Sequence, residues 1–429
     1  MAVAVARLVT ESAGLIDHRL DNGLRVVILP DRRVPVVGVS LWYAVGSRHE
    51  PPGRSGFAHL FEHMMFQGSA NVGKSQHFNL VQAAGGRTNA YTGLDATVYG
   101  DTLPSHQLEL ALWLEADRMS SLGQVLTQAT LDNQRDVVLN ERRKKVDNAT
   151  YGTWEERLFA LCYPAGHPYH HSSWGSDADL GAASLDDVRS FFADHYLPNN
   201  ATMAIVGDVD AAWAISAVER HFGAIPAGAT PQPPAGGTPP PIGGREEVVE
   251  RAPLPCLYVG CRTPPLADDG FDAADLVTDL LATGRASRLR ARLVREQQVA
   301  QGLEAWITPL VDGAALMVLE VTARDGVEPA ALEGAIDHEL DLLAQAPPGE
   351  DELQRVRRQR ATRRAAAMEQ AEERADRLGM YACLLDEPQR FGTEGERDAA
   401  IDAGAIARLA GARLARDERS YVWFLPEAG

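Results

Sequence analysis

The sequence predicts an α+β protein built from two homologous halves. Its 429 residues are too many for one hydrophobic core and imply at least two domains. A stretch rich in Pro, Gly and Ala at residues 225–244 divides the chain near its midpoint, and such a stretch cannot enter a helix or sheet interior. An apolar strand, a proline-containing loop and a helix follow one another in the same order on both sides of it. We therefore expect two α/β halves, each a mostly antiparallel sheet with helices packed on one face.

The proline-rich stretch also defines the predicted domains. Residues 1–225 are predicted to form an N-terminal α/β domain, residues 226–244 a linker, and residues 245–429 a structurally repeated domain. Gly270 opens a helix in the second domain as Gly56 does in the first. Aligned in this way, the second helix has apolar residues where the first has polar ones: Ala273 opposite His59, Leu276 opposite Glu62 and Val277 opposite His63. The fold is thus predicted to repeat, with the chemistry confined to the first copy.

Individual elements follow from the hydrophobic period and from turn residues. Apolar residues at alternate positions predict strands, and apolar residues three or four apart predict helices. The elements predicted for the first half are strands at 24–29 and 37–45, a helix with Ser55 as its N-cap, a helix at 75–84, a strand at 87–99, helices at 108–122, 128–146 and 185–195, and a strand at 201–206. The first strand predicted in the second half is at residues 256–261.

Composition and charge exclude several classes of protein. The formal net charge of −18 at pH 7 argues against binding to nucleic acid or to an anionic membrane surface, and it favours neutral or basic substrates. No apolar stretch approaches the roughly 20 residues of a membrane span, and residues 1–8 lack the pattern of a signal peptide. Four cysteines have no paired spacing: Cys162, Cys256, Cys261 and Cys383. We expect a cytoplasmic protein with reduced thiols that binds neither nucleic acid nor membrane.

The helix predicted at residues 56–66 carries a candidate metal site. His59 and His63 are four residues apart, so they lie one turn from each other on the same face of a helix. Two imidazoles at this spacing can bind one zinc ion, and Glu62 is placed to take a proton from a water on the metal. The apolar flanks predict a buried helix, in which a metal ion would satisfy the polar groups. A His-x-x-x-His pair alone is usually a coincidence, but His-x-x-Glu-His is the reversed zincin motif.

Glu141 is the candidate for a third metal ligand. A catalytic zinc ion has three protein ligands and keeps a fourth position for water. The helix predicted at 128–146 contains Glu141, which follows Val137 by four residues and Val138 by three. We expect the two valines to mark the buried side of this helix and Glu141 to point along that side. The alternative is an amphipathic helix edge on which Glu141 pairs with a lysine.

Together these residues resemble the motifs of the M16 metallopeptidases, which include pitrilysin, insulin-degrading enzyme and the mitochondrial processing peptidases. The resemblance is carried by residues 59–63 and by Glu141 within Val-Val-Leu-Asn-Glu. Three further segments are similar to that family: residues 85–92, 196–201 and 207–209. The resemblance covers the whole chain. The chain length is similar to that of the short-subunit branch, in which each chain is half of a clamshell and two chains close around a chamber.

The resemblance implies roles for single residues. His59, His63 and Glu141 match the zinc ligands of the family, and Glu62 matches the general base. The implied cofactor is therefore Zn²⁺, and the implied substrate is an extended peptide.

Substrate binding is implied at two places. Asn89 and Ala90 match the edge strand that hydrogen-bonds an extended peptide. Arg288 matches an arginine that holds the substrate backbone in active chambers of the family. The tyrosine expected further along the chain is missing, and Gln301 stands near its place. We therefore expect a heterodimer with an M16-like chain that lacks the zinc motif and carries the arginine–tyrosine pair, with a homodimer as the alternative.

Two functions from different classes remain open. The first is a zinc-dependent endopeptidase that hydrolyses extended peptides inside a chamber formed by two subunits. The second is a structural or assembly subunit of an M16-like complex without activity of its own. Inactive members of the family usually lose the zinc ligands, and this chain keeps them, which favours the enzyme. A second metal site at His167, His170 and His171 is disfavoured, because such a Pro- and Gly-rich loop more often holds histidines as surface or hydrogen-bonding groups.

Overall fold

The structure, a computed structural model, describes residues 14–232, 234, 236–240 and 243–427. The prediction about a signal peptide at residues 1–8 lies outside these ranges. The chain divides into two compact units: Met1–Glu141, Ser173–Pro234 and Arg363–Thr393 form the first, and Arg142–Ser172, Ala235–Thr362 and Glu394–Gly429 form the second. Among the described residues, no helix combines the length and the apolar character needed to cross a bilayer.

Strands from both units alternate with helices along the chain. The strands are β1 (Ile16–Arg19), β2 (Arg25–Pro30), β3 (Val36–Tyr43), β4 (Arg87–Thr92), β5 (Thr97–Pro104), β6 (Ala201–Gly207), β7 (Arg245–Glu250), β8 (Cys256–Thr263), β9 (Ala300–Thr308), β10 (Ala315–Ala323) and β11 (Arg419–Pro426). The helices are α1 (Phe57–Met64), α2 (Gln76–Ala83), α3 (Leu108–Val125), α4 (Gln128–Arg142), α5 (Trp154–Cys162), α6 (Asp177–Ala182), α7 (Leu185–His195), α8 (Ala211–Phe222), α9 (Gly270–Ala282), α10 (Pro329–Gln345), α11 (Glu350–Ala367), α12 (Ala371–Leu385), α13 (Glu394–Ala400) and α14 (Ala403–Arg413). Two π-helical segments add to them, Arg143–Asp147 after α4 and Arg290–Glu296 before β9.

The first unit contains a six-stranded sheet in the order β1-β2-β6-β3-β5-β4. Strands β2 and β6 are parallel, and the other neighbouring pairs are antiparallel. In the register of β3 with β5, Leu41 lies opposite Tyr99. In the register of β4 with β5, Asn89 lies opposite Gly100. In this strand order β4 lies at one edge of the sheet and β1 at the other.

The second unit contains a five-stranded sheet in the order β7-β11-β8-β10-β9, in which only β7 and β11 are parallel among its described strands. Numbered along the chain, its strands follow the order 1-5-2-4-3, and strands β2 to β6 of the first sheet follow the same order. The predicted α+β class with two homologous halves is confirmed by this shared, mostly antiparallel topology. Helix α9 follows β8 as α1 follows β3, as the sequence repeat predicts.

Both faces of the first sheet are covered. Val26 and Ile28 of β2 point into the main core, which α1, α3, α7 and α8 complete. Val27 and Leu29 point to the opposite face, where they join a second cluster with Leu378 and other residues of α12. The sequence predicts helices on one face only. The difference arises because α12 comes from the last quarter of the chain, where nothing in the local pattern indicates which sheet it will cover.

One predicted strand is wrong. Residues 87–99 form a hairpin, with β4 and β5 joined by a turn at residues 93–96 in which the Gly93 N–H donates to the Ala96 carbonyl at 2.9 Å. The alternating pattern continues through this turn, so period alone does not show it. Gly93 is the local signal for the break.

The compact units differ from the sequence halves in two segments. Residues 363–393 belong to the first unit, because α12 packs on β3 and β6. Residues 142–172 belong to the second unit, because α5 packs on β8 and β11. The boundaries at 225 and 245 describe the sequence repeat and stay a prediction. The described residues between α8 and β7 contain no helix or strand, in keeping with a proline-rich linker.

Candidate metal centre and substrate edge strand

Helix α1 places two histidines on one face because its other faces are committed to the core. Its buried residues are Phe57, Ala58, Leu60, Phe61 and Met64. His59 and His63 are each only partly buried and lie one turn apart. Their ring centroids are 4.9 Å apart, and the rings are nearly perpendicular. The Trp174 ring packs nearly perpendicular to the His59 ring with a centroid distance of 5.0 Å.

The start of α1 requires a glycine and does not use Ser55 as its cap. Gly56 has a φ of 89°, and a Cβ there would lie 3.0 Å from the Trp174 carbonyl oxygen. The predicted N-cap Ser55 is one residue too early, and its hydroxyl donates to Asp179 at 2.6 Å. The N–H groups of Gly56 and Ala58 instead donate to the carboxylate of Glu50, at 2.9 and 2.7 Å.

Helix α4 brings Glu141 to the two histidines. Val138 and Gln134 on the same stripe are buried, and Glu141 is half-buried at the end of that stripe. Val137 is 41% exposed, so the expectation that it marks the buried side is wrong. A residue four before Glu141 is rotated by about 40° from it, and here that rotation places Val137 in solvent.

The three side chains converge on one point. Nε2 of His59 lies 3.8 Å, and Nε2 of His63 lies 3.2 Å, from the same Oε2 of Glu141. The possible ligand atoms of all three residues lie within 4.8 Å of one another. Two ligands of a tetrahedral zinc ion, each about 2.1 Å from the metal, are about 3.4 Å apart. The donor set of two imidazoles and a carboxylate and its spacing therefore fit zinc.

Glu62 links the histidine helix to the edge of the sheet. Its Oε2 accepts a hydrogen bond of 2.6 Å from the hydroxyl of Thr92, the last residue of β4. Glu62 is half-buried and lies between His59 and His63 in the sequence of α1. The bond to Thr92 fixes the direction of the carboxylate, a contact that the sequence analysis missed.

Strand β4 carries the predicted substrate-binding residues. Asn89 is exposed, while Ala90 packs against the main core and Thr92 faces Glu62. Because β4 is the last strand of its sheet, one side of its backbone has no neighbour among the strands that the structure describes. An extended peptide can pair with such an edge by strand addition.

Comparison with known proteins assigns the chain to a family. The family model described as "Insulinase (Peptidase family M16)" matches residues 25–165, and the model described as "Peptidase M16 inactive domain" matches residues 182–360. The chain belongs to the M16 family. The first model covers His59, Glu62, His63 and Glu141, and the second begins after them.

Two of the matches, both to Helicobacter pylori, span most of this M16 chain. The zinc protease PqqE of Helicobacter pylori is 29% identical over 375 residues, which cover 85% of this chain and 82% of that protein. The crystal structure of a protease from Helicobacter pylori superposes with a TM-score of 0.90 at 25% identity, covering 96% of this chain and 99% of the other. The beta subunit of the mitochondrial-processing peptidase of Lentinula edodes is 28% identical over 214 residues, which cover 49% of this chain and 45% of that subunit.

One structural neighbour is about twice as long as this chain. This M16 chain covers 92% of the first half of the periplasmic protease PqqL of Escherichia coli, with a TM-score of 0.73, but only 47% of the complete PqqL chain. Both matches cover 96% of this chain at 22% identity, so they show a likeness of fold.

Arg288 and Gln301 lie in the second unit of this M16 chain. The Arg288 guanidinium forms an ion pair with Glu352 at 2.8 Å and donates to the Ala346 carbonyl at 3.0 Å. Gln301 is exposed near the start of β9. The helix aligned with α1 is α9, where Ala273, Leu276 and Val277 are buried in the core of the unit. The described second unit thus has no counterpart of the histidine–glutamate trio.

The histidine loop at residues 167–171 makes backbone contacts. His167 is buried with Nε2 3.3 Å from the Gly237 carbonyl, and His170 Nδ1 lies 2.8 Å from the Tyr163 carbonyl. These histidines do not appear among the metal-competent groups of the described residues. These contacts agree with the expectation that the histidines of this loop form hydrogen bonds and do not bind a metal ion.

A buried ionic network lies apart from the trio. His77 Nε2 is 3.4 Å from Asp101 Oδ1 and 4.0 Å from Glu115 Oε1, and all three residues are buried. Arg118 pairs with both oxygens of Glu115 and stacks over Tyr99 at 4.2 Å. Burial raises the pKa of Glu115 to about 7. Because a guanidinium already balances this carboxylate, we interpret the cluster as an internal ion network and not as a second metal centre.

Proposed function

We propose that the chain is a zinc-dependent endopeptidase that hydrolyses extended peptides. The observation that carries this proposal is the convergence of His59, His63 and Glu141 on one point, with Glu62 beside them. Its membership of the M16 family and its similarity to a protein named zinc protease support the same function.

His59, His63 and Glu141 would hold the metal. When bound in such a site, Zn²⁺ acts as a Lewis acid that lowers the pKa of water to about 7 and polarises a peptide carbonyl. The three side chains are 11%, 22% and 23% exposed, so the centre is open to solvent and to a substrate.

Glu62 is the proposed general base. Its carboxylate removes a proton from the attacking water and delivers it to the leaving amine nitrogen, as a general acid–base group does. The Thr92 hydroxyl donates to Oε2 of Glu62 and so helps to hold the carboxylate in its direction. Since Thr92 is part of β4, the same contact aligns the base with the strand that is proposed to bind the peptide.

The substrate is proposed to lie along β4 as an added strand. Strand β4, which contains Asn89 and Ala90, presents the backbone N–H and C=O groups of alternate residues at its open edge, and such groups recognise a peptide backbone independently of its sequence. The net charge of −18 favours neutral or basic peptides.

The active form is proposed to be a heterodimer with a second M16-like chain that lacks the zinc motif. The length of PqqL, of which this chain covers only 47%, supports a need for a second half. Gln301 in place of a tyrosine argues for a partner with its own arginine–tyrosine pair, and Arg288 here is paired with Glu352. A homodimer is the alternative.

A structural or assembly role without activity is the competing proposal. It is favoured by the match of residues 182–360 to the "Peptidase M16 inactive domain" model. That match leaves out the zinc trio and Glu62, all of which are retained in the first unit.

A cytoplasmic location is proposed from the four free thiols.

Elemental analysis tests the metal assignment. We expect one zinc ion per wild-type chain and a large loss of zinc in His63→Ala, because that change removes one of three ligands. His170→Ala is the matched control, since His170 bonds to a backbone carbonyl outside the trio. Equal zinc in wild type and His63→Ala would contradict the proposal.

A further inference from the structure

The segment Gly46–Glu50 lies between the two parts of the proposed active site. On one side it is fixed to the turn between β4 and β5: Ser47 N–H donates to the Gly93 carbonyl at 3.2 Å, and Arg48 N–H donates to the Leu94 carbonyl at 3.0 Å. A Cβ on Gly46 would lie 2.4 Å from the Gly93 carbonyl oxygen, so the two backbones are in close contact. The segment therefore follows any movement of the β4–β5 hairpin.

Arg48 strengthens this connection from the side chain. Its Nη1 lies 2.8 Å from Asp95 Oδ1 in the same turn, and both residues are buried. A buried, hydrogen-bonded ion pair is costly to break because either charge left alone would be desolvated.

On its other side the segment ends in Glu50, which holds the first turn of α1. Oε2 accepts from Gly56 N–H at 2.9 Å and Oε1 accepts from Ala58 N–H at 2.7 Å. The first N–H groups of a helix have no partner within the helix, and the N-cap Gly56 supplies no side chain. Ala58 directly precedes the ligand His59, so these bonds fix the rotation of the turn that carries the first imidazole.

A carboxylate suits this place better than an amide. Both oxygens accept hydrogen bonds here, and negative charge is stabilised at a helix N-terminus. A glutamine would keep one acceptor and turn an NH₂ group towards a backbone N–H. Glu50 is 9% exposed, so this acidic group is buried against the first turn of α1. The chain thus carries the cost of burying an acidic group that touches the metal helix.

We propose that Glu50 is a positioning residue for metal binding. By holding the first turn of α1, it couples the rotation of that helix about its axis to the position of the β4–β5 hairpin. This inference rests on the proposed zinc site, since the ligands that Glu50 positions are His59 and His63. Groups outside the ligand set that orient metal ligands typically contribute about 10- to 100-fold to metal affinity.

Zinc affinity of the full chain, measured by competition with a chelator, tests the proposal without any peptidase assay. We expect Glu50→Gln to weaken zinc binding by about 10-fold or more and Glu50→Ala to weaken it further. Asp179→Asn is the matched control, because Asp179 accepts hydrogen bonds from Ser55 directly before α1 but from no amide of the helix. Its zinc affinity should stay within about 3-fold of wild type, below the 10-fold effect expected of an orienting group.

Cobalt substitution supplies a second measurement that separates positioning from loss of folding. The far-ultraviolet circular dichroism spectrum of Glu50→Gln shows whether the variant is folded. If this spectrum matches the wild type, the visible absorption bands of bound Co²⁺ should still differ, because the geometry of the ligands changes. Wild-type zinc affinity in both Glu50 variants would overturn the inference, and so would an equal loss in Asp179→Asn. A wild-type chain that takes up no zinc would instead overturn the proposed function itself, and Glu50 would then have no metal site to position.

Discussion

Asp376 lies next to strand β4, and its pKa is affected by burial. The Tyr91 hydroxyl of β4 donates to its Oδ1 at 2.9 Å. Burial raises the pKa of Asp376 to about 6, and the hydrogen bond from Tyr91 opposes this shift. The carboxyl lines a cavity of about 200 Å³ together with Glu372 and Glu373. The protonation of this residue in the folded protein therefore changes near pH 6.

Asp376→Asn should alter the pH dependence of stability. The pKa in the folded protein is above the ordinary value of 3.8, so the folded state holds the proton more tightly than the unfolded chain. The resulting stabilisation is present below about pH 4 and is lost as the pH rises through about 6. Between these values the wild type should lose about 3 kcal/mol relative to the variant, measured by chemical denaturation. Parallel stability curves for the two proteins would show that the folded-state pKa is not raised.

The residues of the candidate centre differ in how far the sequence predicts them. Spacing alone brings His59 and His63 together, because four residues make one helical turn. Glu141 follows from the family motif. The prediction about Val137 failed because adjacent residues of a helix point in directions about 100° apart, so Val137 is exposed while Val138 is buried. No sequence pattern indicates the roles of Glu50 and Thr92. Their hydrogen-bond partners, Ala58 and Glu62, lie 8 and 30 residues away and are brought close only by the tertiary fold.

At the scale of elements, α12 and β3 approach each other through two glycines. A Cβ on Gly38 of β3 would lie 2.6 Å from the Ala371 carbonyl oxygen. A Cβ on Gly379 of α12 would lie 2.4 Å from the Trp42 ring. The helix can therefore lie close to the sheet only because both positions lack a side chain.

Gly379→Ala should destabilise the protein. The added methyl would overpack against Trp42, and overpacking of a core typically costs about 1–3 kcal/mol in the free energy of unfolding. Gly334→Ala in α10 is the control, because nothing lies within 4 Å of a Cβ at that position. The control should gain up to about 1 kcal/mol from its better helix propensity. Denaturant unfolding of both variants checks the pair, and equal effects would contradict the close contact.

The elements show where local pattern is sufficient. Helix α7 has the predicted bounds Leu185–His195, with Ser184 as its N-cap, since its period and its cap agree. The hairpin at β4 and β5 was missed because alternation continues across its turn. The docking of α12 on the first sheet depends on contacts between segments far apart in the chain, as between Tyr91 and Asp376 at 2.9 Å with a separation of 285 and between Ser40 and Asp376 with a separation of 336.

At the scale of the whole molecule, the chain contains two copies of one strand order with different contents. The first copy holds His59, His63 and Glu141 together with Glu62, whereas α9 of the second copy has apolar residues at the aligned positions. The repeat was predictable from the order of strand, loop and helix. The sequence did not predict that residues 142–172 belong to the second compact unit and residues 363–393 to the first, because this placement changes no local pattern.

The division of labour between two chains gives a prediction for the whole molecule. The isolated chain, supplied with zinc, should hydrolyse an unstructured peptide weakly or not at all. An M16-like partner that lacks the zinc motif and carries the arginine–tyrosine pair should raise the activity. Full activity of a homodimer, unaffected by Arg288→Ala or by an added partner, would contradict the proposed heterodimer.

The central claim is that Glu62 acts as the base at a zinc centre formed by His59, His63 and Glu141. The most direct test compares Glu62→Gln with wild type for zinc content, peptide binding and hydrolysis, in whichever assembly of the wild type is active. Glu219→Gln, at an exposed position on α8, is the matched control and should behave as wild type. Glu62→Gln should keep its zinc and bind peptide, and it should lose at least ~100-fold in the rate of hydrolysis. Loss of zinc from this variant, or hydrolysis at the wild-type rate, would contradict the account.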